Sequence, residues 1–174
     1  MRTKLAYVVL AVGLTQASAA EPAAEEYHVK GAFLLNFAKF VEWPPEAFKG
    51  DELAICVLGT NPFTPELGLA ARQIVVEKRT VMVRQISDAQ QARQCQILFI
   101  SVSERKRVHA VLEALQGASV LTVGESEGFI ASGGVIEFKV DEGRVRMEIS
   151  EAAAKHAGLH ISAKLLSLAQ AGKK

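Results

Sequence analysis

"CQILFISVSERKRVHAVLEALQGASVLTVGE", residues 95–125, decides the fold. Its first seven residues are a nearly continuous apolar run, and such runs suit strands covered on both faces, as in parallel sheets. The middle predicts a helix from Ser103 to a terminal Gly117, with Val108, Val111, Leu112 and Leu115 on one stripe. "SVLTVGE" (119–125) is again a buried strand. Strand, helix and strand in this order argue for a layered α/β fold with right-handed crossovers.

The same alternation extends outward in both directions. Upstream, "LAICVLG" (53–59) reads as a short buried strand that stops at a glycine. Asn61-Pro62 then supplies turn chemistry, and a helix starts near Thr64-Pro65. "RTVMVRQI" (79–86) alternates apolar and polar residues, the period of a half-buried strand, and "SDAQQARQ" (87–94) is a short helix. Downstream, "GGVIEFKVDEGRVRMEIS" (133–150) alternates on both sides of Asp141-Glu142-Gly143, which predicts a β-hairpin with a three-residue loop. Val135, Glu137 and Lys139 should face one way, and Ile136, Phe138 and Val140 the other. An Ala-rich helix ending near Gly158 and an amphipathic helix in "ISAKLLSLAQ" (161–170) close the chain. The expected architecture is an α/β layered single domain. A mostly parallel central sheet carries a C-terminal antiparallel β-hairpin and is flanked by helices.

The N-terminus has a different character. "MRTKLAYVVLAVGLTQASAAEP" (1–22) joins a positive start, Arg2 and Lys4, to an apolar run too short to span a bilayer. Ala17-Ser18-Ala19 completes a secretory signal pattern, with cleavage expected after Ala19 or Ala20 and one domain over 21–174. Removing Arg2 and Lys4 takes the formal charge from +1 to −1, 18 basic against 19 acidic residues. A near-neutral exported domain with scattered charges has no footprint for nucleic acid and none for direct membrane insertion. In an oxidising compartment the even count, Cys56 and Cys95, favours a disulfide, with two buried thiols as the alternative.

"KGAFLLNFAKFVEWPPEAF" (30–48) holds the only Trp and four of the eight Phe. At helical spacing Val29, Phe33, Leu34, Phe37, Ala38, Phe40 and Val41 fill an arc of roughly 180°, wider than the stripe of a surface helix. Leu35 intrudes on the polar back, and Lys30 is a polar exception within the arc. Trp43-Pro44-Pro45 ends the helix, because proline disfavours helical backbone in the residue before it. The polar back rules out a membrane anchor. Trp43 reads as a plug over the first strand rather than part of a ligand cage. The extra width makes Phe33, Leu35, Phe37, Phe40 and Trp43 candidates for contact with a dimer mate or partner.

Reactive constellations are thin. The chain has no H-E-x-x-H, no phosphate loop and no dinucleotide fingerprint. "GESEGFIASGG" (124–134) carries acids where a phosphate cradle would have none. His156 and His160 are separated by the helix-breaking Gly158 and have no third ligand nearby, so neither metal nor cofactor is expected. In open α/β sheets ligands collect at the carboxyl ends of strands where the strand order reverses. Thr60, Asn61, Ser101, Ser103 and Glu125 fall at such ends and are the crevice candidates, although the same residue types serve as ordinary turns and caps.

Six blocks in order carry a resemblance that covers about residues 28–171. They are "KGAFLLNFAKFVEWP", "LAICVLG" followed by "NPF", "CQILFIS", "LTVGESEGFIASGGVIEF", "GRVRMEIS" and "AGLHISAKLLSLA". With them the chain resembles the YfiR (DUF4154) family of bacterial periplasmic proteins. The resemblance implies a non-enzymatic periplasmic regulator that represses an inner-membrane diguanylate cyclase through its periplasmic sensor region. Cyclic di-GMP signalling would fall as a result, and an outer-membrane lipoprotein would relieve the repression by sequestration. A sensor kinase is an alternative membrane partner, a homodimer the expected assembly, and a small-molecule module at the strand-end crevice the alternative function. Cys56 and Cys95 match the family's cysteine positions, which strengthens the disulfide reading. The second cysteine pair that some relatives carry around "GFIASGG" is absent, so a redox switch needing that bridge is not expected. Ser150 stands where the family's block has Asn, and either residue can cap the following helix.

Overall fold

Each apolar run read as a strand finds a partner in one seven-stranded sheet. The computed structural model describes residues 20–171, and the expected export signal, residues 1–20, lies outside them except for Ala20. The long opening helix α1 (Ala20–Phe40) leads into β1 (Val41–Glu42) and β2 (Glu52–Leu58). Then follow α2 (Pro65–Arg72), β3 (Val75–Val76), β4 (Arg79–Ile86), α3 (Ala89–Ala92), β5 (Ile97–Ile100), α4 (Val108–Ala114) and β6 (Leu121–Gly124). The hairpin β7 (Ile136–Asp141) and β8 (Arg144–Ile149), α5 (Glu151–His156), β9 (His160–Ile161) and α6 (Ala163–Ala171) complete the described residues.

The strand order is β3-β4-β2-β5-β6-β7-β8. From β4 to β7 all neighbours are parallel, and the antiparallel β3 and β8 lie at the two edges. The chain runs from β2 outward to β4 and then returns to the other side of β2 with β5. The point of reversal therefore lies between β2 and β5, at Gly59-Thr60 and Ser101–Ser103.

Both faces of the central strands are covered, which is why they read as apolar runs. On one face Ile55, Val57, Ile97, Phe99, Leu121 and Val123 pack under Leu34, Phe37 and Ala38 of α1 and Leu165 and Ala169 of α6. On the other, Cys56, Leu58, Leu98 and Ile100 meet Ala89 and Ala92 of α3 and the α4 stripe of Val108, Val111 and Leu112, with Leu115 just beyond it. The caps follow the residues that announce them. Thr64 precedes Pro65 at the start of α2, Asp88 accepts from the Gln90 amide at α3, and Ser150 Oγ accepts from Ala153 N at 3.2 Å.

Four details depart from the sequence reading. The hairpin loop has two residues, because Asp141 pairs with Arg144 and Glu142 and Gly143 both take positive φ, as a type I′ turn requires. Val140 is half exposed and Glu137 is buried, since the 125–134 segment folds over the start of β7 and leaves its end open. The helix expected from Ser103 begins at Val108, after a single 3-10 turn over Val102–Glu104 capped by Ser101. Finally, β3 and the β1–β9 pair were not anticipated. Each is two residues long, and β3 turns into β4 through Glu77 and Lys78, both at positive φ without glycine.

Two of the four glycines of "GESEGFIASGG", Gly124 and Gly134, make room for an aromatic ring. Phe129, only 1% exposed, lies between Gly124 and Gly134, and a Cβ added to either would overlap its ring. Neither glycine has positive φ, so the constraint is one of space alone. Gly134→Ala should cost at least about 2 kcal/mol, the range for overpacking a close-packed core. Urea unfolding checks this, and the Phe129→Leu background should recover part of the loss.

Candidate functional site

Four of the five crevice candidates use their polar groups on one another or on nearby backbone. Ser103 Oγ accepts from Thr60 N at 2.9 Å, and its hydroxyl lies 3.4 Å from Ser101 Oγ. Asn61 Oδ1 accepts from Phe63 N at 3.0 Å, a local turn contact. A Cβ on Gly59 would overlap the side chains of Ser103 and Glu104. The point of strand reversal is thus filled by the chain itself.

Glu125, the fifth candidate, lies one residue past β6 and faces α1. Its Oε2 is 2.6 Å from Lys30 Nζ, while Oε1 accepts from Tyr27 Oη at 3.2 Å and from Val102 N at 3.1 Å. Lys30 also pairs with Glu26 one turn earlier and lies 4.6 Å over the Tyr27 ring. Lys30 and Glu125 side chains are 3% and 6% exposed. Burial, and then the negative charge of Glu125, push the Tyr27 hydroxyl up to about 12, so Tyr27 donates throughout the ordinary pH range. The polar exception on the apolar arc of α1 is therefore the anchor that ties this helix to the strand ends.

Beside this cluster a groove of about 820 Å³ opens between the first half of α1, the 125–131 turn and the β7–β8 hairpin. Ile130, Phe138 and Val140 contribute apolar surface, and five glutamates and two lysines contribute charge. A second groove, of about 700 Å³, lies between α4 and α5, with His109, Glu113 and His156 along it. Among the described residues no group of three His, Cys, Asp or Glu side chains is arranged to hold a metal. No described helix is long and apolar enough to cross a membrane.

The aromatic candidates of α1 turn toward their own domain. Phe37 is completely enclosed and offers no surface. Phe37 stacks on Phe138 at 6.0 Å between ring centroids, and Phe33 meets the same ring tilted, at 5.9 Å. Phe33, Leu35, Phe40 and Trp43 are partly buried against the same core. Lys164 of α6 lies 4.8 Å over the Phe40 ring. Trp43 donates from Nε1 to Gln96 O at 3.0 Å, and its ring meets Phe48 edge-on.

Gln96, which no motif singled out, completes this junction. It is 3% exposed. Its Oε1 accepts from Ala54 N at 2.8 Å and its Nε2 donates to Ala47 O at 2.7 Å. One side chain thus ties the Pro-rich turn to the start of β2. The only signal in the sequence was a single polar residue inside the run 95–101. On the other face, Cys56 and Cys95 form a disulfide, with Cα atoms 6.0 Å apart.

The family model described as DUF4154, YfiR/HmsC-like, matches residues 27–170. No curated protein matches the chain. Among solved structures, the ABC domain from Streptococcus pneumonia, in complex with L-Trp, is similar at 10% identity and a TM-score of 0.51, over 84% of this chain and 59% of that one. A conserved domain protein from Vibrio cholerae O1 biovar El Tor N16961 matches at 14% identity and a TM-score of 0.47, over 67% and 53%. The chain spans between half and three fifths of the length of these two structures. At such identities the likeness is one of fold alone.

Proposed function

Because the chain belongs to the YfiR/HmsC-like family of periplasmic regulators, we propose that it binds the periplasmic sensor region of an inner-membrane diguanylate cyclase and represses it. The observation that carries this reading is the family match, which covers almost the whole described domain. A second observation supports it. The strand-end groups of Thr60, Ser101 and Ser103 hold one another and the backbone, in the manner of a structural junction rather than a reacting set. Repression then follows from differential affinity, with the regulator favouring the inactive conformation of the cyclase. An outer-membrane lipoprotein that sequesters the regulator would release the enzyme by mass action.

The test is made in the cell and in vitro. Deleting the gene should raise cyclic di-GMP, and the periplasmic protein should co-purify with the cyclase sensor region. Unchanged cyclic di-GMP together with no co-purifying cyclase would overturn the circuit, and a sensor kinase in the same pull-down would redirect it. A small ligand at the β2–β5 crevice is the weaker reading, since it must displace the bond between Ser103 and Thr60.

A further inference from the structure

The groove beside α1 combines two properties seldom found together on a near-neutral surface. It is acidic: Glu26, Glu125, Glu127, Glu137 and Glu148 line it against Lys30 and Lys139. Both lysines are already committed, Lys30 to Glu26 and Glu125, and Lys139 to Glu148 at 2.8 Å and Glu137 at 3.8 Å. The lining therefore keeps an excess of three negative charges, five carboxylates against two ammonium groups, and among the described residues Glu127 has no ion pair. The groove is also apolar. Val102 and Val140, 43% and 51% exposed, are two of six large apolar side chains left open on the described surface, and both line it.

We propose that this groove is the docking surface for a partner polypeptide whose segment carries basic side chains around an apolar one. The apolar residue would cover Val102 and Val140, and the cations would meet Glu127 and the outer carboxylates. Exposed apolar surface rimmed by charge marks interaction sites, and complementary charge sets both partner choice and association rate. The inference rests on the reading of the protein as a regulator that acts by binding, and it says where that binding occurs. The buried bridge between Lys30 and Glu125 fixes the wall formed by α1, so the groove is formed before the partner arrives.

The experiment uses isotope-labelled protein purified from the periplasm and a capped Lys-Leu-Lys-Leu-Lys peptide, with Glu-Leu-Glu-Leu-Glu as control. Amide shifts should move at 26–30, 102, 125–131 and 137–140 with the basic peptide only. Affinity should fall steeply as salt shortens the screening length from ~10 Å at 0.1 M to ~3 Å at 1 M. Glu127→Lys and, separately, Val102→Ser change exposed positions, and thermal unfolding confirms their fold. Glu127→Lys should weaken binding about tenfold, the size of one reversed contact at close range. Shifts elsewhere on the domain, equal binding of the acidic peptide, or unchanged affinity in both variants would each overturn the proposal. Those failures leave the cyclase reading standing, because its pull-down presupposes no particular docking surface. Conversely, a failed pull-down with groove-specific peptide shifts would remove the cyclase and keep the docking surface.

Discussion

Glu125→Leu is expected to destabilise the domain by about 3 kcal/mol, the lower end of what removing one partner of a buried ion pair costs. The lower end applies because Lys30 keeps Glu26, whose side chain is 28% exposed and so partly shared with water. The loss has three parts. Lys30 Nζ loses its enclosed carboxylate at 2.6 Å, and the acceptors of Tyr27 Oη and Val102 N disappear with it. Lys30→Met should be milder, since Glu125 then retains two hydrogen-bond donors. The double variant Lys30→Met/Glu125→Leu should recover part of the loss, because an apolar pair of similar volume leaves no enclosed charge unpaired. Recovery is only partial: Glu26 is partly solvated, and the two donors to Glu125 stay without their acceptor. A double-mutant cycle in urea reads this directly. Strict additivity, or a single-variant loss below about 1 kcal/mol, would show that the bridge does not hold α1 in place.

This cluster also shows where the sequence stops speaking. Lys30 was visible as a charge on an apolar arc, and Glu125 as an acid at a strand end. Nothing local could join two residues 95 positions apart. The long and strongly patterned elements were legible for the opposite reason: β4 occupies 79–86 as its alternation predicts, and the α4 stripe is buried at every expected position. The elements that escaped, β3 and the β1–β9 pair, are held by register with distant backbone rather than by any pattern of their own. Ser103 illustrates the same limit. Its hydroxyl was read as a helix start and a crevice candidate, yet it is turned to the Thr60 amide across the sheet. The fold was therefore readable from periodicity and order, while the chemistry of the strand ends depended on pairings that only the assembled sheet creates.

The disulfide supplies the largest expected effect. Replacing both cysteines, Cys56→Ala/Cys95→Ala, should lower stability by up to about 4 kcal/mol, the loop-closure entropy of a bridge across 39 positions. Alanine is the better probe than serine, because both sites are buried, at 1% and 4% exposure, and a hydroxyl there would add a polar cost. The mechanism can be separated from simple packing loss. If the bridge acts on the unfolded chain, its removal lets that chain expand, and the urea m-value should rise while the native spectrum stays unchanged. A packing effect would shift the midpoint at constant m. Access gives an independent reading. The sulfurs lie between β2 and the turn before β5, covered by α3 and α4, so a thiol can attack them only after the domain opens. Reduction by dithiothreitol should therefore follow the unfolding rate and accelerate with urea. Rapid reduction in native buffer, at a rate insensitive to denaturant, would instead make this bridge an accessible redox device. Burial argues the other way: the bond holds β2 to the turn just before β5.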